Sequence, residues 1–161
     1  MTTTAPTPDN APDTEQAQQL AWQQALTWFE QLTPADLAHM EAIYTTDARF
    51  KDPFHEVVGT AAIRAIFERM FEQLHQPRFV ITESVRQGAR GFVTWDFVFA
   101  RPGQPAQMWT IRGATHFVLR EERGAWRVAV HRDYWDAAEE LYEKFPLLGA
   151  GMRWLKRRVG S

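Results

Sequence analysis

The sequence has no cysteine among its 161 residues. Disulfide bonds, thiolate metal ligands and a cysteine nucleophile are therefore excluded. It also has no run of about 18 apolar residues, the length that a membrane-spanning helix needs. The first residues combine neither a basic start nor an apolar stretch, so no secretory signal is predicted. Together these absences predict a soluble, cytoplasmic protein.

A strong charge of either sign is absent too, because the formal net charge is only −2. Nucleic-acid binders usually carry a large positive excess, so nucleic acid is not a predicted partner. The chain has no Gly-x-Ser-x-Gly, P-loop or dinucleotide-binding motif. No set of His, Asp and Glu has the spacing of a metal site. We therefore expect neither a metal nor an organic cofactor.

Apolar residues are plentiful: they make up 45% of the chain and include seven tryptophans and eleven phenylalanines. This length supports one well-buried domain and is short for two. Residues 1–12 are rich in Thr, Pro and Ala, which predicts a disordered tail. Residues 13–136 form the predicted domain. Residues 137–161 form a predicted amphipathic, basic C-terminal extension, interrupted at Pro146.

The hydrophobic pattern changes from helical spacing to alternation near the middle of the chain. Helical spacing predicts helices over residues 13–32, 34–44 and 60–76. Alternation and turn residues predict strands over residues 48–52, 78–87, 92–100, 107–121 and 125–135. The last four strands are joined by short turns, which favour antiparallel pairing. The predicted fold is α+β, with three helices packed on one face of the sheet.

An acidic residue stands on the apolar face of the first predicted strand. Alternation places Ala48, Phe50 and Asp52 on one face, and Arg49 and Lys51 on the other. A carboxylate on an apolar face is costly unless it is paired, hydrogen-bonded or functional. Asp52 is therefore a candidate catalytic residue. The alternative is an Asx-type turn cap before the proline that follows it.

The predicted strand 92–100 has one polar and one apolar face. Phe92, Thr94, Asp96 and Val98 share the mixed face, which we assign to a pocket. The opposite face is entirely large and apolar, so it would pack on helices or form a homodimer interface through the sheet. Its members are Val93, Trp95, Phe97 and Phe99.

A second polar cluster lies on the last predicted strand, where Ala129, His131 and Asp133 share a face. We expect Asp133 to converge with Asp96, and His131 to relay a proton or orient the acid. Carboxylates that share a semi-apolar cavity cannot all ionise easily, so at least one pKa should be raised. The alternatives are a structural ion pair for Asp133 and a structural hydrogen bond for Asp96.

The segment DPFHEVVGTAAIR resembles the ketosteroid isomerase and SnoaL-like proteins of the nuclear transport factor 2-like superfamily. The resemblance covers about residues 17–135. It implies a cone-shaped curved antiparallel sheet, closed by helices around an apolar pocket. It also implies that Asp52 is the general base. The positions of the family's two oxyanion donors fall on Trp28 and Thr115, whose indole N–H and hydroxyl can still donate.

The segment HRDYWD, residues 131–136, resembles the last-strand motif of limonene-epoxide-hydrolase-like members of the same superfamily. This resemblance implies that Asp96 and Asp133 are the acid pair. The bridging arginine of those enzymes falls on Thr94. Their water-positioning tyrosine and asparagine fall on Phe50 and Asp52.

Aromatic side chains suggest what the pocket would bind. An apolar pocket with few polar groups is typical of small-molecule sites. The predicted ligand is a small apolar molecule, although ordinary core packing is the alternative for each aromatic residue. The candidate lining residues are Trp22, Trp28, Phe29, Phe50, Phe54, Phe67, Phe71, Phe92 and Trp109.

The C-terminal extension carries four cations, at positions 153 and 156–158, beside Trp154 and Leu155. Such a segment could bind acidic lipids as a peripheral membrane anchor, or it could be a solvated helix end.

Two functions follow. One is a cofactor-independent acid–base enzyme of isomerase, cyclase or hydrolase/hydratase type, acting on the apolar ligand. The alternative is a non-catalytic binder or carrier of a lipid-like ligand, and a protein-interaction module is a third reading.

Overall fold

The computed structural model describes residues 11–136, with side chains described from residue 13 onward. The predictions for residues 1–10 and for the C-terminal extension lie outside the described residues. Residues 11 and 12, assigned from sequence to the tail, belong to the first helix.

Three helices precede or interrupt the sheet, close to their predicted positions. They are α1 (Ala11–Gln31), a 3-10 helix (Pro34–Ala42) and α2 (Thr60–Gln73). Helix α1 buries Trp22, Ala25 and Phe29, which lie three and four residues apart on one face. Thr33 caps the 3-10 helix, and its backbone N–H donates to the Asp36 carboxylate at 2.8 Å.

Six strands form one curved sheet in the order β2-β1-β6-β5-β4-β3. Strands β3 to β6 are the predicted antiparallel meander. Strand β1 pairs parallel with β6, and β2 is a short edge strand that the sequence did not predict. The bounds are β1 Tyr44–Lys51, β2 Glu56–Val58, β3 His75–Gln87, β4 Arg90–Arg101, β5 Gln104–Glu122 and β6 Ala125–Tyr134.

The helices cover one face of the sheet, which we call the inner face, and leave the outer face open. Rings of α1 meet rings of the inner face directly: Phe29 stacks on Phe79 at 4.1 Å between centroids, and Trp22 meets Phe117 edge-on at 6.0 Å. Burial of this apolar area is the main force that holds helices and sheet together. Among the described residues, no helix is long and apolar enough to cross a membrane.

On β4 the assignment of the mixed face to the pocket was wrong, whereas the alternative that the apolar face packs on the helices is confirmed. Val93, Trp95, Phe97 and Phe99 are buried on the inner face, so they are not available for a subunit interface. The mixed set that includes Asp96 lies on the outer face. The physical reason is that Val93, Trp95, Phe97 and Phe99 are larger and more apolar than the mixed set, so the fold buries them against the helices. The homodimer stays a prediction.

Candidate functional site

A cavity of about 480 Å³ lies between α2 and the inner face of the sheet. Its size is within the range of small-molecule sites. Three predicted lining residues, Phe50, Phe54 and Phe67, are among its aromatic walls, together with Phe79, Trp95 and Phe97. Its polar lining consists of Asp52, His55, Arg69, Gln73, Arg101 and Asp133. Two of the predicted catalytic acids therefore meet the same cavity.

Asp133 ends a buried chain of hydrogen bonds. The hydroxyl of Tyr44 lies 2.7 Å from Nδ1 of His131, and Nε2 of His131 lies 2.9 Å from Oδ1 of Asp133. Tyr44 and His131 are 1% and 0% exposed. Their rings stack with an interplanar angle of 9°, which fixes the imidazole plane. The contact between Nε2 of His131 and Oδ1 of Asp133 gives the predicted orienting role of His131 a geometric basis.

The positions of the protons in the hydrogen bonds from Tyr44 through His131 to Asp133 follow from which groups can donate. Burial, reinforced by the charge of Asp133, raises the pKa of Tyr44 well above its usual value of 10.0. The phenol therefore keeps its proton and can donate it to Nδ1 of His131. An ionised carboxylate only accepts, so Nε2 carries the proton donated to Asp133. A neutral imidazole in the Nε2–H form satisfies both contacts.

A second donor reaches the same carboxylate oxygen from β5. The Thr115 hydroxyl donates to Oδ1 of Asp133 at 2.5 Å, and the Trp95 indole N–H donates to Thr115 at 2.8 Å. Trp95 can reach Thr115 because its ring lies against Gly113, where a Cβ would collide with the indole. We call Tyr44, His131, Asp133, Thr115 and Trp95 the Asp133 network.

The Asp133 network leaves one oxygen available for chemistry. Every hydrogen bond that the described residues make to this carboxylate goes to Oδ1. Asp133 lines the cavity and Oδ2 accepts none of these hydrogen bonds, so we assign Oδ2 to contact with a ligand. The Asp133 side chain is only 10% exposed, so a ligand would contact Oδ2 in a largely desolvated environment.

Asp52 follows β1 and faces the cavity, as its strand parity predicted. Its Oδ1 accepts the backbone N–H groups of Phe54 at 2.7 Å and His55 at 2.5 Å. Nδ1 of His55 lies 3.0 Å from both carboxylate oxygens. This is the Asx-type turn that the sequence left open, and the same carboxylate also lines the cavity. Asp52 thus has a structural role whether or not it is catalytic.

The prediction that Asp96 shares this site is wrong. Asp96 lies on the outer face, where Arg112 is 3.8 Å away in an exposed ion pair. Thr94 and Phe92 lie on the same face: Thr94 hydrogen-bonds Thr82 at 2.6 Å, and Phe92 stacks on His116 at 4.6 Å. Asp96 and Asp133 are therefore on opposite sides of the sheet, which also removes the acid pair implied by the last-strand motif.

Trp28 and Trp109 are not among the cavity-lining residues, contrary to prediction. Trp28 lies behind the cavity wall and contacts Tyr44 and Phe67 edge-on at 5.6 and 6.0 Å. The Trp109 ring packs against the core and under the guanidinium of Arg101, 5.7 Å from its centroid. Thr115 contributes indirectly, because its hydroxyl proton is donated to Asp133 and cannot serve an oxyanion.

Two further histidines, His55 and His116, lie in different places. His55 reaches the cavity, whereas His116 lies on the outer face. Burial, followed by the charges of Arg90 and Arg132, lowers the pKa of His116. Among the described residues, no group of three His, Asp or Glu side chains could hold a metal ion.

The sequence reading missed several residues of the site. Tyr44 shares the parity of Ala48 and Phe50, which was a usable signal for its inward position. Its contact with His131 could not be predicted, since the two residues are 87 positions apart and the pairing of β1 with β6 contains a register shift. Arg69 and Arg101 were missed because cations near element ends usually face solvent.

Comparisons with known structures identify the fold. A protein of ketosteroid isomerase-like fold from Catenulispora acidiphila, solved with trimethylamine, has a TM-score of 0.62 and 17% identity over 73% of this chain and 89% of its own. A proposed polyketide cyclase from Xanthomonas campestris has a TM-score of 0.58 and 20% identity, over 78% and 95% of the two chains.

A proposed aromatic ring hydroxylase from Novosphingobium aromaticivorans has a TM-score of 0.61 and 18% identity, over 78% and 92% of the two chains. At such low identity these likenesses show the ketosteroid isomerase-like, nuclear transport factor 2-like fold, but no activity. No curated protein matches the sequence. The SnoaL-like domain family matches residues 25–129, well over half of the chain. The chain therefore belongs to the SnoaL-like domain family.

Proposed function

We propose that this protein is a cofactor-independent acid–base enzyme of isomerase, cyclase or hydrolase/hydratase type. Its substrate would be a small, largely apolar molecule bound in the cavity. The observation that carries the proposal is the Asp133 network, which ends on a carboxylate oxygen inside an aromatic cavity. A neighbour described as a proposed polyketide cyclase is consistent with the cyclase part of this class.

Asp133 is the proposed base in this reaction. Its Oδ2 would take a proton from a carbon acid, or from water, and later return it to another atom of the substrate. His131 and Thr115 both donate to Oδ1, so they fix the carboxylate and leave Oδ2 directed to the ligand. Tyr44 holds His131 in the tautomer that donates. General acid–base catalysis of this kind typically contributes about 10²–10⁴-fold to a rate.

Asp52 and His55 form a second acid–base pair in the same cavity. Parallel pairing of Lys51 with Arg132 puts Asp52 at the level of Asp133 on the neighbouring strand. His55 contacts both oxygens of Asp52 and could carry a proton to or from the reacting molecule. We assign Asp52 and His55 a supporting role, because Nδ1 of His55 contacts Oδ2 of Asp52 as well as Oδ1, so both oxygens of this carboxylate already have a partner.

Proton abstraction can be tested before the natural reaction is known. Apolar carbon acids such as 2-tetralone exchange their α-protons with D₂O when a base acts on them, and NMR follows the loss of the proton signal. We expect wild-type protein to accelerate exchange and Asp133→Asn to lose about 100-fold of that acceleration. Asparagine keeps the shape and can still accept from Thr115 and His131, so the fold should survive.

Asp96→Asn is the matched control, since it makes the same change on the outer face. It should exchange as fast as wild type. If Asp133→Asn retains full exchange while wild type accelerates it, Asp133 is not the base and the proposal fails. If wild type binds 2-tetralone and related apolar carbon acids but accelerates the exchange of none of them, the protein is a binder.

A non-catalytic binder or carrier is the second candidate. It is favoured by the tethering of Asp52, whose carboxylate closes a turn in the way a structural residue does. It predicts that an apolar ligand binds with equal affinity to wild type and Asp133→Asn. The membrane version rests on residues 147–161, outside the described part. Liposome flotation with and without that segment would test it.

A further inference from the structure

The carboxylates and the guanidinium groups that line the cavity form two groups of opposite charge. Asp52 and Asp133 are the acids, and Arg69 and Arg101 are the cations, with the amide of Gln73 beside them. Asp133 lies on β6 and Asp52 directly after β1, whereas Arg101 lies at the end of β4 and Arg69 and Gln73 lie on α2. Such a division would discriminate between ligands by charge and would also set their direction in the cavity.

Strand register locates the acidic end. Asp133 on β6 pairs with Thr115 on β5, which pairs with Val93 on β4. Asp52 follows directly after Lys51, whose partner Arg132 precedes Asp133. The two acids therefore lie at the level of Val93, near the beginning of β4.

The cationic end lies at the other end of the same strand. Arg101 is the last residue of β4, eight positions after Val93, or about 26 Å along an extended strand. His75 pairs with Ala100, so the last turn of α2, with Gln73, ends beside Arg101. Arg69 stands one helical turn before Gln73 on that helix. Curvature of the sheet and the inward reach of the side chains shorten the distance that a ligand has to span.

The wall between the two ends is apolar. Phe97 and Phe99 on β4, Ile111 on β5 and Met70 on α2 line this middle section. The indole N–H of Trp95 is already donated to Thr115, so it offers the ligand a mainly aromatic surface. A ligand that fills the cavity would therefore be apolar along its length.

We propose that the cavity binds an elongated amphipathic anion: an apolar body with a carboxylate at one end. Arg69, Arg101 and Gln73 would hold the carboxylate, because guanidinium groups bind planar anions through paired hydrogen bonds. Repulsion by Asp52 and Asp133 would disfavour the reverse orientation. Only the reactivity of the far end rests on the proposed function, since binding itself needs no catalysis.

Three probes of one shape test the ligand class by isothermal titration calorimetry: 6-phenylhexanoate, 6-phenylhexan-1-ol and 6-phenylhexylammonium. Wild type should bind the carboxylate at least about tenfold more tightly than the alcohol, and the ammonium ion no better than the alcohol. The proposal is overturned if alcohol and carboxylate bind equally. Tighter binding of the ammonium ion would also overturn it, since the acidic end would then dominate.

The double variant Arg69→Gln/Arg101→Gln should lose the preference for the carboxylate and keep its affinity for the alcohol within about twofold. The matched control is Arg90→Gln/Arg112→Gln, which removes two cations from the outer face. It should bind all three probes as wild type does. If the control loses carboxylate affinity as strongly as the cavity variant, the effect is one of net charge and the local site is refuted.

Asp133→Asn separates the two proposals. It should bind 6-phenylhexanoate at least as tightly as wild type, because a like charge has been removed, while its proton exchange is lost. Lost exchange with unselective binding would refute the anionic ligand alone. Selective binding with unchanged exchange in Asp133→Asn would refute the catalytic assignment alone.

Discussion

Removal of the Tyr44 hydroxyl gives a sharp test of the Asp133 network. In Tyr44→Phe, Nδ1 of His131 loses its donor in a place where neither ring meets water. An unsatisfied buried polar atom costs about 1–3 kcal/mol. We therefore expect the free energy of unfolding, measured by urea denaturation at pH 7, to fall by that amount.

The pH dependence of this difference is the more specific signature. The pKa of Tyr44 is raised in the folded protein, so its protonated form stabilises the fold fully below pH 10, the ordinary value in the unfolded chain. As pH rises above 10, the unfolded chain loses the proton and the folded protein keeps it. The free energy of unfolding of wild type then falls by about 1.4 kcal/mol per pH unit. Tyr44→Phe lacks this decrease.

The stability gap between wild type and Tyr44→Phe should therefore narrow by about 1.4 kcal/mol between pH 9 and pH 11. Other groups titrate equally in both proteins and cancel in the difference. Tyr134→Phe is the matched control for the loss of a phenol hydroxyl, since the Tyr134 side chain is 45% exposed. A constant gap for Tyr44→Phe across this range would refute the buried, neutral phenol and the tautomer derived from it.

Two further variants test how the site is assembled. Gly113→Ala should push the Trp95 ring away from Thr115 and cost about 1–3 kcal/mol in urea denaturation. Adding Trp95→Phe should relieve that clash, so a double variant much less stable than Trp95→Phe alone would contradict the packing. Asp52→Asn should keep its turn, change stability by less than about 1 kcal/mol and slow 2-tetralone exchange less than Asp133→Asn does. An equal or larger loss of exchange would make Asp52 the base instead.

The meander could be read from sequence because its turns are marked locally. Gly88, Gly103 and Gly124 have positive φ angles at the three hairpins, and each stands between alternating segments. The choice of inner face on β4 was not local. Alternation separates the two sets of side chains but does not say which one meets the helices. A cavity lined by aromatic residues looks, in sequence, like an ordinary packed core.

Asp133 and His131 were predicted to share a face because they stand two residues apart on one strand. Their partners come from elsewhere in the chain: Tyr44 through the parallel pairing of β1 with β6, and Trp95 through a glycine on β5. These contacts depend on register shifts and on a missing Cβ, and neither leaves a periodic signal. Asp133 could thus be predicted as a candidate catalytic residue, whereas the residues that position it could not be predicted.

The separation of the two cavity ends has a consequence for specificity. The Asp133 network ties β1, β4, β5 and β6 together, so the geometry of the base depends on the sheet. The cations stand on the last turns of α2 and on the end of β4, outside that network. Substitutions at well-separated sites usually have additive effects. Ligand selectivity and proton transfer should therefore vary independently. For the combined variant Arg69→Gln/Arg101→Gln/Asp133→Asn, the change in the free energy of 6-phenylhexanoate binding should equal the sum of the changes in the two separate variants. A marked departure from additivity would mean that the cations help to position Asp133.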